Sequence, residues 1–142
     1  MRENKQLIID TEKGDCFRAC LTSILGIPND PTLPDINNPK WKQEWDAFLG
    51  QFGLRLVFNI GDVWRSGYWI AGVPSKNYTD SNHAIVMKGT RIAFDPSTKK
   101  TYEKGRNIFG SGLVLSGYSL EVMDTSLFPK LEEYKTNNHE HR

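Results

Sequence analysis

The chain has 142 residues, 38% of them hydrophobic, 11% aromatic and 25% charged, a globular composition that excludes wholesale disorder and fits a single core. Eighteen Lys plus Arg against seventeen Asp plus Glu give a formal charge of +1. Nothing gathers the positive field that nucleic acid or an anionic membrane would need, and both are disfavoured as partners.

Met1 to Asp10 carries Arg2, Glu3, Lys5 and Asp10 around a short apolar patch, and no run of eighteen apolar residues follows. The sequence therefore predicts neither a signal peptide nor a spanning helix. Cys16 to Leu25 reads as a helix, with Phe17, Ala19, Cys20, Leu21, Ile24 and Leu25 at helical spacing, Asp15 as its N-cap, and Gly26 and Pro28 as its stop. Pro28 to Pro39 holds four prolines among Asn and Asp and is predicted to be a surface connection. A second helix follows on the stripe Trp41, Trp45, Phe48, Leu49 and Phe52, ending at Gly50 or Gly53, its aromatic face assigned to the core. Leu54 to Ile60 alternates as a strand, Gly61 to Gly67 breaks it, and Tyr68 to Val73 resumes an extended run. After the polar loop Ser75 to Asn82, the runs His83 to Met87 and Arg91 to Phe94 flank Lys88, Gly89 and Thr90 as a hairpin that Asp95 and Pro96 terminate. Leu113 to Leu115 and Tyr118 to Met123 read as a last pair of strands around Ser116 and Gly117. The domain is expected to span 1–128, and the charged tail 129–142 to fray or pack as a loose helix.

Two cysteines, Cys16 and Cys20, are too few and too close for a disulfide framework and point to a reducing compartment, so a cytoplasmic location is expected. Cys16 sits in the first turn of its helix, where unpaired amides and the macrodipole favour a negative charge and hence a nucleophilic thiolate. Cys20, one turn on among apolar side chains, reads as a packed, inert thiol. His83 is the one histidine in the body of the protein; His139 and His141 lie in the tail. A three-residue turn pairing Met87 with Arg91 would set His83 opposite Asp95, close enough for imidazole and carboxylate to bond. A two-residue turn would shift the register by one and send the two to opposite faces.

The string Gly14-Asp15-Cys16-Phe17-Arg18-Ala19-Cys20-Leu21, with His83-Ala84-Ile85-Val86-Met87 and Ala93-Phe94-Asp95-Pro96, resembles the papain-like cysteine peptidases, and most closely the branch that removes double-glycine leader peptides from bacteriocins. The resemblance implies Cys16 as nucleophile, His83 as base and Asp95 as orienter, in the papain-like chain order. It also implies a Gln several residues before the Cys as oxyanion donor. Here position 10 is Asp10 and the nearest Gln is Gln6, with Gln51 as a more distant candidate. A carboxylate at that corner would repel the oxyanion, and loss of one such donor costs about 10²- to 10³-fold in rate.

The expected fold is α+β, a papain-like domain with the Cys16 helix packed on an antiparallel sheet that carries His83 and Asp95. The leading functional expectation is a thiol hydrolase or acyltransferase acting on amide bonds of a peptide or protein, with no cofactor or metal and a bacterial or phage origin. The alternative is a catalytically impaired binding or inhibitor module that uses the same cleft, supported by Asp10 and by aromatics such as Trp64, Tyr68 and Trp69 as lining. A zinc site built from Cys16, Cys20, His83 and Asp95 ranks last.

Overall fold

A computed structural model of the chain describes residues 1–7, 15–61, 65–76, 81–97 and 102–138. Helix α1 covers Cys16–Leu25, as the apolar spacing predicts. Gly26 ends it with φ of 75°, a left-handed conformation that costs glycine little, and the Ile27 amide closes back on the Thr22 carbonyl at 3.0 Å. Asp15 is the N-cap residue, as the sequence predicts, and its carbonyl accepts the Ala19 amide at 2.9 Å, but its side chain makes no cap hydrogen bond. Its carboxylate is drawn instead to Leu7, Arg18 and Asn29.

Helix α2, Trp41–Gly50, buries Trp45 and Leu49. The strands that follow are β1 (Leu54–Ile60), β2 (Tyr68–Pro74), β3 (Asn82–Lys88), β4 (Arg91–Phe94) and β5 (Ser116–Val122). They form one sheet in the order β1-β5-β2-β3-β4, with every pairing antiparallel. The fold is thus mixed α+β, among the described residues a five-stranded antiparallel sheet with three helices. A 3₁₀ turn at Thr125–Leu127 leads into α3, Phe128–Asn138.

Strand alternation divides the core into two layers. On one face Leu54, Leu56, Ile70, Val86 and Phe94 meet α1 and α2. On the other, Trp69, Ala71, Val73, Ile85, Met87 and Ile92 pack under Tyr102, Ile108 and Val114 from the irregular segment before β5.

Two sequence expectations change here. The predicted last pair of strands is one strand: Ser116 and Gly117, read as a turn, pair with Gly72 and Ala71 on one side and with Ile60 and Asn59 on the other. Gly117 is suited to that central place because a Cβ there would lie 2.6 Å from the Arg65 guanidinium carbon. Leu113 to Leu115 precede the ladder, with Val114 turned into the second layer. The tail forms α3, whose Leu131 and Tyr134 pack against the first layer, Tyr134 meeting Phe48 and Phe52 edge-on.

Candidate active site

Cys16 opens α1 and is partly exposed, while Cys20 has no exposed surface. Burial, followed by the charges of Cys16, Asp95 and Asp15, pushes the Cys20 thiol well above its ordinary value. His83 is the second residue of β3 and Asp95 directly follows β4. The imidazole Nε2 lies 2.6 Å from Asp95 Oδ1, and Cys16 is near enough to favour the charged form of the ring. With Nε2 engaged by the carboxylate, the nitrogen left for Cys16 is Nδ1.

The hairpin reaches this contact by a different register from the three-residue turn. Lys88 pairs with Arg91 and Met87 with Ile92, so Gly89 and Thr90 make a two-residue turn. Continued regularly, that register would set Asp95 opposite Ala84, on the face away from His83. The ladder shifts between Val86 and Met87, and Val86 pairs with Phe94. Ala93 is therefore the extra residue of a β-bulge, and one step further Asp95 comes level with Ile85, the same-face neighbour of His83. The predicted Met87–Arg91 pairing is corrected, and the bulge restores the face that it was meant to explain.

Asp95 is also held by two backbone amides. Its Oδ1 also accepts the Ser97 amide at 2.9 Å, and its Oδ2 accepts the Tyr102 amide at 3.2 Å. The Tyr102 hydroxyl donates to the Pro74 carbonyl at 2.5 Å, tying the segment after Asp95 to the end of β2. Burial opposes charge on His83, but the hydrogen bond and charge of Asp95, together with Cys16, outweigh it and raise the imidazole from 6.5 to about 9.

A cavity of about 260 Å³ opens beside this group. Cys16, His83, Asn82, Phe17, Ile70 and Tyr118 line it, together with Gly72, Ala84 and Ser116 of the sheet and with Ile36 and Asn37 from the Pro-rich connection. Among the described residues, Cys16, His83 and the Tyr118 phenol are the ionisable groups that line it.

Of the remaining sequence candidates, the described ones are not among the residues lining the cavity. Gln6 is anchored by its backbone amide to the Pro96 carbonyl at 2.9 Å, and Gln51 borders a separate hollow with Lys130, Glu133 and Tyr134. Asp10 and Trp64 lie outside the described residues. Trp69 is buried in the second layer beneath Arg65, and Tyr68 sits against Lys88, so neither lines the cleft. Among the described residues no three His, Cys, Asp or Glu side chains are grouped as metal ligands would be, and none of the helices is long and apolar enough to cross a membrane.

Sequence reasoning missed the polar group behind Cys16. Arg18 is buried, donating from Nε to Asn29 Oδ1 at 2.8 Å and from Nη2 to Asp15 Oδ2 at 3.1 Å. The available signal was an arginine on the apolar side of a helix with an aspartate three residues earlier. It also missed Ser97 and Tyr102, which act through backbone amides that side-chain identity does not reveal. No family model, curated protein or solved structure matches the chain.

Proposed function

We propose that this chain is a cysteine-dependent hydrolase or acyltransferase acting on amide bonds of a peptide or protein, with a papain-like arrangement related to the double-glycine-leader peptidases. The observation that carries the reading is the chain of contacts from Asp95 through His83 to Cys16, at a helix start and beside a cavity. A nucleophile, a base and a group orienting the base, within hydrogen-bond reach of one another, are what covalent acyl transfer needs.

In this mechanism His83 Nδ1 takes the Cys16 proton, and Asp95 stabilises the resulting imidazolium. The thiolate Sγ attacks the substrate carbonyl carbon, and the carbonyl electron pair moves onto oxygen beside the unpaired first-turn amides of α1. Collapse of the tetrahedral intermediate breaks the C–N bond as His83 returns the proton to the leaving nitrogen. Water, or an amine, then attacks the thioester with His83 again as base, releasing the acyl product and restoring the Cys16 thiol.

The test is turnover of a panel of amide and ester substrates by wild type and Cys16→Ala. Activity in wild type that disappears in Cys16→Ala supports the reading. Activity that survives the substitution overturns it, and a panel-wide absence favours the binding module.

A further inference from the structure

Cys16 and Asp95 are carried by different layers of the fold, and two successive backbone amides of residues 1–7 join the carriers. The Gln6 amide donates to the carbonyl of Pro96, one residue beyond Asp95, at 2.9 Å. The Leu7 amide donates to both carboxylate oxygens of Asp15, one residue before Cys16, at 3.0 Å. Asp15 is 1% exposed. Its Oδ2 also accepts Asn29 Nδ2 at 2.9 Å and Arg18 Nη2 at 3.1 Å, and Asn29 Nδ2 reaches back to the Lys5 carbonyl at 3.1 Å. The carboxylate thus forgoes the helix cap its position offers and gathers donors from residues 1–7, α1 and the connection that contributes Ile36 and Asn37 to the cleft lining. It does not line the cleft itself.

We propose that Asp15 is a positioning residue: it clamps residues 1–7 to the foot of α1, and through Gln6 and Pro96 that segment holds the Asp95–His83 pair in place over Cys16. The inference rests on the catalytic reading above. Two simpler roles make different forecasts. As a bare negative charge beside the nucleophile, Asp15 would disfavour the thiolate, and neutralising it would speed alkylation. As a purely structural residue, it would change stability and leave the reactivity of the folded protein alone.

The experiment is the rate of Cys16 alkylation by iodoacetamide at pH 7 in the full chain, followed by peptide mass mapping, for wild type, Asp15→Asn, Leu7→Pro and the double variant, with melting recorded for each. Leu7→Pro removes the amide that Asp15 accepts, and the Leu7 side chain is 54% exposed, so it decides the matter if Asp15→Asn does not fold. The expected result is a wild-type Cys16 faster than a free small thiol. Each single variant should slow by about 10- to 100-fold, the cost of a small misplacement, while melting cooperatively and leaving Cys20 unlabelled. The double variant should lose less than about threefold more, because both substitutions break one connection. Unchanged or faster alkylation in folded Asp15→Asn overturns the inference, as do additive losses or labelling of Cys20. A wild-type Cys16 no faster than a free thiol overturns the catalytic reading as well, and so separates the two failures.

Discussion

At the scale of single residues, His83 sets the pH behaviour. Its imidazole is raised from 6.5 to about 9, burial being outweighed by Asp95 and Cys16. The imidazolium therefore persists through neutral pH and loses its proton as pH rises through about 9, and with it goes the acid that protonates the leaving nitrogen. The kcat/KM profile should therefore fall on its alkaline side near pH 9, and Asp95→Asn should move that limb to lower pH by removing the charge and altering the bond that hold the proton. A limb that stays in place in Asp95→Asn would count against the orienting role. The same shift carries a sign for stability. Because the folded value lies above the unfolded one, the contribution of His83 is complete below about pH 6.5 and is lost as pH rises through about 9.

Asp10 is the second residue whose substitution separates the functional readings. If it occupies the oxyanion corner, Asp10→Gln replaces a repelling carboxylate with a neutral donor and turnover rises, toward the 10²- to 10³-fold that one such donor is worth, as an upper bound of about that size. If Asp10 lies elsewhere, turnover is unchanged or falls. Steady-state kinetics on one substrate of the panel decides between these outcomes. At this scale the sequence was informative where chemistry depends on residue type. Cys16, His83 and Asp95 carry side chains with few alternative uses together, and the contact between His83 and Asp95 is present at 2.6 Å. It was uninformative where backbone amides act, as at Ser97 and Tyr102, since every non-proline residue has one.

At the scale of elements, strong periodicity and terminal punctuation made most of the fold readable. Cys16–Leu25 has an apolar stripe and a glycine in the left-handed conformation at its end, and its limits agree with the sequence reading. The hairpin strands agree almost as closely, yet their register does not. A bulge leaves no strong mark in composition, because Ala93 is an ordinary strand residue; what selects it is that Phe94 and Ile92 must enter opposite layers of the core. The merged final strand has a similar cause. Ser-Gly is a turn signal in isolation, but as the middle of a sheet Gly117 makes room for the Arg65 guanidinium, which lies 4.5 Å over the Trp69 ring. Gly117→Ala should consequently destabilise the protein by about 1–3 kcal/mol, the usual range for overpacking, as measured by urea unfolding. A loss below the error of that measurement would mean that Arg65 moves aside without cost.

At the scale of the whole molecule, the sheet order places the last strand between the first two, so the chain must close a long-range pairing before the β2–β3–β4 hairpins are joined to β1. No local pattern encodes that order. The packing of α3 is likewise a tertiary effect: its sequence is weakly amphipathic, and it is held by Tyr134, whose ring centroid lies 5.5 Å from Phe48 and 5.6 Å from Phe52. Tyr134→Ala should cost about 1–2 kcal/mol in global stability while leaving the Cys16 alkylation rate of the folded protein unchanged, since α3 packs around α2 and away from the cleft lining.

The central claim is that Cys16, His83 and Asp95 act as one acyl-transfer unit, and an acid-quenched reaction with an activated ester tests it most directly. During turnover of p-nitrophenyl acetate, intact-protein and peptide mass spectrometry should find a single acetyl group, added as a thioester on Cys16. The acylation rate should fall by about 10²-fold or more in His83→Ala, the range that a positioned general base supplies. Acylation elsewhere in the chain, or a Cys16 thioester that forms equally fast without the His83 imidazole, would contradict the account.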